Sequence, residues 1–296
     1  KINIEKPIRL VMDCGNAAAA LNAPKLFKSL GIQLKELFCE PDGTFPNHHP
    51  DPTVEKNLSA LIAEVKAGDY DLGIAFDGDA DRVGIVDEKG NIIKADQLMS
   101  IFLPDIIKKG DDIIFDVKCS QSLIDMIKRY GGNPIMWKTG HSLIKQKMSE
   151  LQCKFGGEMS GHIFFADDYY GYDDALYVAA RLVQLLSRTK KTLSELKSEI
   201  PTYYSSPEIR LKVKNDEEKF LIIDKAVKYF KENFDCIAID GVRINFENGW
   251  GLVRSSNTQP VIVCRFEAAS EKEKNTIENL VFNKLKSFGE LVIDEN

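Results

Sequence analysis

The first two hundred residues of this chain alternate short apolar segments with segments of helical periodicity. IRLVMD (8–13) is followed by a Gly/Asn turn and a helical pattern that ends at Gly31, and DLGIAF (71–76) follows a second helical pattern over 52–68. The same alternation continues from residue 96 to about residue 200. Strands separated by helices of this length predict an α/β sheet, in which ligands bind at the ends of the strands.

The last ninety residues follow a different pattern. They contain four apolar stretches that we interpret as strands, PEIRLKVK, CIAIDGVRINFEN, WGLVRSSN and PVIVCRFEAA, and two helical patterns, over 216–233 and 270–287. This arrangement predicts an antiparallel α+β layout. Pro201 and Pro207 bracket TYYSS, which we interpret as a linker.

These patterns predict a protein of the α/β class with three domains. We expect two α/β sandwich modules with mixed sheets, residues 1–95 and 96–201, followed by a C-terminal α+β module, residues 207–296, in which an antiparallel sheet is flanked by helices. Three polar motifs, at residues 77–82, 156–165 and 254–260, fall in these three modules in turn. A length of 296 residues agrees with two or three domains of the usual size.

Composition excludes several classes of partner. The net charge is −6 and no block of Lys and Arg is present, so we expect neither nucleic acid nor a membrane as a partner. The apolar runs are far shorter than a membrane span. The six cysteines are scattered without a CxxC pair, which predicts reduced thiols and a cytoplasmic location.

Three aspartates, Asp77, Asp79 and Asp81, are crowded into the stretch FDGDADR, which ends in Arg82. Repulsion among three carboxylates is costly unless a cation lies between them. Carboxylate oxygens are hard ligands that suit Mg²⁺, Ca²⁺ or Mn²⁺. An EF-hand is a weak alternative, because its sixth position requires Gly and is Arg82 here, and because the flanking segments are predicted strands.

The stretch GGEMSGHIFF carries a second set of polar groups. In an extended backbone Glu158, Ser160 and His162 would point the same way, and Gly156, Gly157 and Gly161 would let a ligand approach the chain. A carboxylate, a hydroxyl and an imidazole on one face suit a polyol such as a sugar.

The stretch RSSNTQP lies between two predicted strands. Arg254 offers a bidentate cation, and the following serines, asparagine and threonine offer hydroxyls and loop amides, so the segment is a credible phosphate cradle. Arg265 shares a strand face with Val261 and Val263, where core residues are expected, which indicates that its cation pairs with another group.

Two further basic groups stand where a predicted strand meets a helix. WKTGHS places His141 at the N-terminus of a helix, where anions are favoured, and Lys118 occupies the comparable turn in DVKCS.

Together these motifs resemble those of the α-D-phosphohexomutases, specifically the bacterial phosphomannomutase/phosphoglucomutase branch. The metal loop of that family is similar to DGDADR, its sugar loop to GEMSGH and its phosphate loop to RSSNTQP. FPNHHPDP, WKTGHSLIK and YYGYDDALY also resemble that branch. The resemblance covers essentially the whole chain, and the motifs occur in the family order.

The resemblance implies a reversible phosphoryl transfer between sugar 1-phosphate and sugar 6-phosphate, of mannose or glucose, through a phosphoserine and a bisphosphorylated intermediate. The three aspartates would hold Mg²⁺ beside the phosphoserine, and Arg82 would contact its phosphate. Arg82, Lys118 and His141 would be the catalytic groups, with His141 a candidate for proton transfer. The substrate-binding groups implied are Lys118, His141, Glu158, Ser160, His162, Arg254, Ser256, Asn257, Thr258 and Arg265.

The sequence departs from the family pattern at the nucleophile. The family's serine lies in a T-A-S-H-N-P-like loop of an N-terminal domain, and no such segment occurs in these 296 residues; Ser120, Ser142 and Ser255 match other motifs. We therefore expect the chain to correspond to the second, third and fourth domains of the family, to need the first domain as a partner, and to be inactive alone.

Two alternatives stay open. One is a non-catalytic protein that binds sugar phosphates. The other is a phosphatase with Asp77 as nucleophile and Asp79 as acid, although such phosphatases usually carry Thr or Val where Asp81 stands.

Overall fold

The computed structural model of the protein describes residues 2–256 and 259–293. These residues form two compact units. The first contains the residues up to Ile135 together with Gly140–Pro201, and the second contains Met136–Thr139 and the residues from Thr202 onward.

The first unit begins with a mixed five-stranded sheet, as the alternating pattern predicts. Its strands are β1 (Arg9–Asp13), β2 (Gln33–Leu37), β3 (Leu72–Phe76), β4 (Val83–Asp87) and β5 (Ile92–Ile93), with helices α1 (Ala23–Ser29) and α2 (Ser59–Ala67) in the connections. The order across the sheet is β2-β1-β3-β4-β5. The three strands β2, β1 and β3 are parallel. Strand β4 pairs antiparallel with β3, and β5 pairs antiparallel with β4. Every residue of β3 and of β4 is buried, which explains their continuous apolar sequence.

A four-stranded sheet follows. Its strands are β6 (Asp112–Asp116), β7 (Asn133–Trp137), β8 (Phe155–Gly157) and β9 (Ile163–Phe165), and the helices of this region are α3 (Ala95–Ile106), α4 (Gln121–Arg129), α5 (His141–Leu151), α6 (Ala175–Arg188) and α7 (Leu193–Ser198). The strand order is β7-β6-β8-β9. Capping side chains fix two of the helix starts: Ser120 accepts from the backbone N–H of Ser122, and Asp174 accepts from that of Tyr177.

The second unit is built on an antiparallel sheet. Its strands are β10 (Tyr204–Ser205), β11 (Ile209–Lys212), β12 (Cys236–Ile237), β13 (Val242–Phe246), β14 (Gly249–Ser255), β15 (Val261–Ala268) and β16 (Val292–Ile293), and its helices are α8 (Asp216–Asn233) and α9 (Glu271–Lys286). The two helices contribute Ile222, Phe230, Val281 and other apolar side chains to one core with the sheet. The predicted combination of mixed α/β sheets and a C-terminal antiparallel module is confirmed.

Two local predictions were wrong. The stretch CIAIDGVRINFEN is not one strand, because Gly241 turns the chain with a φ of +66° and a side chain there would collide with the carbonyl of Val253. TYYSS is not only a linker: β10 pairs with β15, and Ser206 donates its backbone N–H to the carbonyl of Phe266. The six cysteines are free thiols.

Candidate active site

The acidic loop connects two buried strands, β3 and β4, and its first carboxylate organises it. Asp77 is 1% exposed. Its Oδ1 accepts the backbone N–H groups of Asp81 and Arg82, each at 3.0 Å, and its Oδ2 accepts Nε of Arg82 at 2.6 Å. Because the loop is flanked by strands, it is not an EF-hand.

The three loop carboxylates fit a metal ion. Oxygen atoms of Asp77, Asp79 and Asp81 lie within 4.8 Å of one another. The pKa of Asp81 is raised to about 6, mainly by burial and also by the carboxylates of Asp77 and Asp79, while His162 acts to lower it. A cation between these groups would relieve that repulsion, so the residues present suit a divalent ion with hard oxygen ligands.

Arg82 lies between two acidic side chains. Besides its bond to Asp77, its Nη1 is 3.4 Å from Oδ1 of Asp51. Burial lowers the pKa of Arg82, but its bonded carboxylates outweigh burial and the net shift is upward. The sequence analysis missed Asp51, although it stands in the quoted motif FPNHHPDP.

The predicted sugar loop is a turn rather than an extended segment, and this corrects the expectation for Glu158, Ser160 and His162. The backbone N–H of Glu158 donates to the carbonyl of His162 at 2.8 Å, and Gly161 has a φ of +102°, which favours glycine. The turn still joins two of the three side chains, because Ser160 Oγ donates to Oε2 of Glu158 at 3.2 Å.

Glu158 is buried at the base of this turn. It is 3% exposed, and it accepts a short bond from the backbone N–H of Gly140. Burial raises the pKa of Glu158, and the nearby carboxylate of Asp116 adds to the rise, while Gly140, His162 and Lys118 act in the opposite direction. Lys118 itself follows β6, with Nζ 3.9 Å from Oδ2 of Asp116.

The two histidines of the predicted site lie side by side. The rings of His141 and His162 stack with their centroids 5.2 Å apart. Both Nδ1 atoms are 3.0 Å from Oδ2 of Asp173, whose Oδ1 accepts from Lys145 at 2.7 Å. Burial alone would raise the pKa of Asp173, but His162 and Lys145 hold it well below the usual range. The sequence analysis gave Asp173 no role; the only signal was its place in YYGYDDALY.

Arg254 leads the predicted phosphate loop in the second unit. It is 5% exposed, and its Nε donates to Oδ2 of Asp240 at 2.9 Å. Its Nη2 is buried and has no hydrogen-bond partner among the described residues. Asn257 and Thr258, also predicted for this loop, lie outside the described residues.

The flanks of this loop are held by a buried lysine that the sequence analysis missed. Lys219 of α8 is 3% exposed, and its Nζ donates to the carbonyls of Ser256 and Gln259, each at 3.0 Å. Arg265 is also buried, and its guanidinium lies 5.8 Å from the ring centre of Trp250. The first unit therefore contains the acidic loop with Arg82, the turn and the two histidines, and the second unit contains Arg254 and Arg265.

Models of three domains of one family match the chain. They are phosphoglucomutase/phosphomannomutase α/β/α domain II over residues 2–90, α/β/α domain III over 94–204, and the C-terminal domain over 208–284. Two α/β/α domains followed by this C-terminal domain define the phosphohexomutase class of fold. The chain belongs to the phosphoglucomutase/phosphomannomutase family.

Individual relatives agree with this assignment. The chain is 48% identical over 291 residues to a phosphomannomutase/phosphoglucomutase of Pseudomonas aeruginosa, a match that covers 97% of the chain and 62% of the relative. A crystal structure of a phosphoglucomutase/phosphomannomutase family protein from Burkholderia thailandensis matches with a TM-score of 0.90 at 43% identity, over 98% of this chain and 63% of that one.

A more distant structure shares the fold. It is an N-acetylphosphoglucosamine mutase of Aspergillus fumigatus in complex with GlcNAc-6P and magnesium, which matches with a TM-score of 0.72 at 17% identity, over 97% of this chain and 62% of that one. The chain thus spans about 62% of the length of the relatives it matches. Within the described residues, no helix has the length and apolar character needed to cross a membrane.

Proposed function

We propose that this chain forms the metal-, sugar- and phosphate-binding part of a phosphohexomutase that interconverts the 1-phosphate and 6-phosphate of mannose or glucose. Two relatives named above support the reaction class, since both carry the names phosphoglucomutase and phosphomannomutase. We further propose the three modules predicted from the sequence, residues 1–95, 96–201 and 207–296, as its functional divisions.

The observation that carries the proposal is the state of Arg254. A buried guanidinium nitrogen without a partner is costly, so such a group is retained where a ligand completes its hydrogen bonds. Arg254 holds one edge against Asp240 and leaves Nη2 unpartnered among the described residues. A phosphate oxygen is the natural acceptor for this nitrogen. Ser256, Asn257, Thr258 and Arg265 complete the proposed phosphate-binding set.

Mg²⁺ is the ion we propose for Asp77, Asp79 and Asp81. Bound there, it would supply positive charge for the oxygens of a phosphoryl group during transfer. The Aspergillus fumigatus mutase that shares this fold was solved with magnesium and a sugar phosphate. Arg82 is held by Asp77 at Nε, and its Nη1 lies 3.4 Å from Oδ1 of Asp51. The guanidinium of Arg82 is the proposed contact for the same phosphoryl group.

The polar turn and the two histidines form the proposed sugar-binding site. Glu158 and Ser160 are the proposed partners of the sugar hydroxyls, with Lys118 and His162 as basic groups beside them. His141 is the proposed proton-transfer group, because its ring is half exposed while Asp173 holds its Nδ1.

We propose that the phosphoserine is supplied by a segment outside these 296 residues. The matched models are the second, third and C-terminal domains of the family, and no serine loop was found in the sequence. Ser120 is unsuited to the role, because it is 7% exposed and its Oγ caps α4. The chain alone should then bind sugar phosphates without turning them over.

The phosphatase alternative meets a specific obstacle. Oδ1 of Asp77 accepts two backbone N–H groups and Oδ2 is paired with Nε of Arg82 at 2.6 Å, and these bonds weaken both oxygens as nucleophiles. A non-catalytic binding protein would bind the same sugar phosphates. The two hypotheses differ when a phosphoserine domain is added, because only a part of a mutase would then turn the sugar phosphates over.

The test is a titration of the chain with glucose 1-phosphate and glucose 6-phosphate by ligand-observed NMR, followed by a turnover assay with Mg²⁺ and glucose 1,6-bisphosphate. We expect both isomers to bind and to displace each other, because one cradle must hold either phosphate in turn, and we expect no turnover. Robust turnover would refute the absence of the nucleophile. Binding of one isomer alone would refute the mutase assignment.

A further inference from the structure

Four side chains from four separate segments converge beside the acidic loop. They are Asp81 of the loop, His141 at the start of α5, His162 of the turn after β8, and Asp173 before α6. One ligand atom of each lies within 4.8 Å of the others. We propose that these four residues form a second metal site, which binds a transition metal such as Zn²⁺ and shares only Asp81 with the acidic loop.

The distances fit a small tetrahedral ion. Bonds of about 2.0–2.1 Å to zinc place neighbouring ligand atoms roughly 3.3–3.4 Å apart. The Nδ1 atoms of His141 and His162 are each 3.0 Å from Oδ2 of Asp173, and Nδ1 of His162 is 3.5 Å from Oδ1 of Asp81. For these three separations, changes of a few tenths of an ångström would give the required size, and the other ligand atoms lie within 4.8 Å of one another.

One imidazole nitrogen lies near two carboxylates without a hydrogen bond to either. Nδ1 of His162 is buried and makes no hydrogen bond with acceptable geometry to any described residue, although Oδ2 of Asp173 is close. A buried nitrogen that faces two carboxylates without a hydrogen bond is placed as a metal ligand would be.

The ligand set selects the kind of metal. Imidazole nitrogens suit zinc, cobalt, nickel and copper, whereas Mg²⁺ and Ca²⁺ prefer oxygen ligands alone. Lys145 binds Oδ1 of Asp173 and leaves Oδ2 toward the imidazoles, but its ammonium is also 3.4 Å from Nδ1 of His141. This positive charge lowers the affinity for a metal, so we expect the site to be occupied only when the metal concentration is high.

A metal at this position would inhibit the proposed reaction, and this consequence rests on the proposed function. The ion would take His141, the proposed proton-transfer group, and would draw Asp81 away from Mg²⁺. The zinc site would therefore overlap the acidic loop only at Asp81, and Mg²⁺ would not fully displace the zinc.

Co²⁺ serves as the probe, because four-coordinate Co²⁺ absorbs visible light much more strongly than the hydrated ion. We expect the 296-residue chain to develop this absorption during titration with Co²⁺, Zn²⁺ to abolish it, and excess Mg²⁺ to leave most of it. Asp173→Asn and His141→Ala should each weaken Co²⁺ binding about tenfold or more. His141 is half exposed, so its variant tests the site even if Asp173→Asn does not fold.

Two controls separate this site from others. Asp79→Asn removes a carboxylate of the acidic loop alone, and His49→Ala removes an exposed histidine elsewhere; both should keep the absorption. Absence of the absorption in the unmodified chain, or its loss in Asp79→Asn with retention in His141→Ala, would overturn the proposal. Because the readout is a spectrum, it is independent of whether sugar phosphates bind, so failure of the proposed function would be seen separately.

Discussion

Asp77 and Arg82 close the acidic loop on itself. One oxygen of the buried carboxylate accepts the backbone N–H of Arg82 at 3.0 Å, and the other accepts Nε of the same residue at 2.6 Å. The residue that begins the loop thus fixes both the backbone and the side chain of the residue that ends it. Asp77 therefore stabilises the loop even without a metal, whereas Asp79 is exposed and makes no hydrogen bond or ion pair within the described residues.

Asp77→Asn should therefore destabilise the chain, by about 1–3 kcal/mol, because an amide cannot accept all three bonds and Arg82 loses its nearest carboxylate. Arg82 is partly exposed, which keeps the cost below that of a fully buried pair. Asp79→Asn is the matched control and should change stability by less than about 0.5 kcal/mol. Urea unfolding without divalent cations measures both; equal effects of the two variants would contradict this account.

Mg²⁺ should bind the chain only weakly. Three carboxylates are present, but the phosphate oxygen expected to complete the coordination belongs to the phosphoserine, which we propose lies elsewhere. Calorimetry should give a dissociation constant well above the micromolar range, and Asp79→Asn should weaken binding further. A sub-micromolar constant for the unmodified chain would show that the loop needs no further ligand.

Arg254→Ala should weaken glucose 1-phosphate and glucose 6-phosphate by similar factors, roughly tenfold or more, because charge-assisted bonds to phosphate are each worth about 1.5–3 kcal/mol. Arg254→Lys should recover only part of the loss, since an ammonium lacks the bidentate fork. Arg129→Ala removes an exposed arginine and should leave both affinities unchanged. Ligand-observed NMR measures all three variants, and loss of one ligand alone would show a cradle that serves a single orientation.

Glu158→Gln should stabilise the chain at neutral and higher pH while it weakens sugar binding. The pKa of Glu158 is raised in the folded state, mainly by burial, so its protonated form is the one that folding favours. That contribution is fully present below the unfolded pKa of about 4.5 and is lost as the pH rises through the higher folded value. The amide avoids the loss and can still accept from the N–H of Gly140.

The measurement is the urea midpoint of both proteins from about pH 4 to pH 8, where the advantage of the variant should grow with pH. Glu150→Gln, on the exposed face of α5, is the control and should differ from the unmodified chain by less than about 0.5 kcal/mol throughout. An advantage that shrinks as the pH rises would mean that the buried carboxylate is stabilised rather than strained.

Much of this arrangement could be predicted from the sequence, for a physical reason. Buried parallel strands need continuous apolar residues, so β3 was evident, and Asp77, Asp79 and Asp81 are neighbours in the chain, so their crowding was evident too. Asp173 contacts His141 and His162, which lie in other segments of the chain, and no local sequence pattern predicts such a contact.

At the polar turn, the sequence predicted neighbouring side chains correctly but from the wrong backbone conformation. Glu158 and Ser160 were predicted to meet because their spacing suits an extended strand, but they meet because the chain reverses at Gly161. Alternation in a short segment does not distinguish these two backbones, and only the strand pairing of β8 with β9 decides between them.

Gly161, where the chain reverses, is hydrogen-bonded to Val83, the first residue after the acidic loop. Its carbonyl accepts the backbone N–H of Val83 at 3.3 Å, and a side chain at this glycine would meet the carbonyl of Val83 at 3.0 Å. A cation among the aspartates and a sugar on the turn would thus be bound by two backbone segments that this hydrogen bond joins. Thermodynamic linkage makes the coupling mutual: the factor by which the cation changes the affinity for the sugar is the factor by which the sugar changes the affinity for the cation.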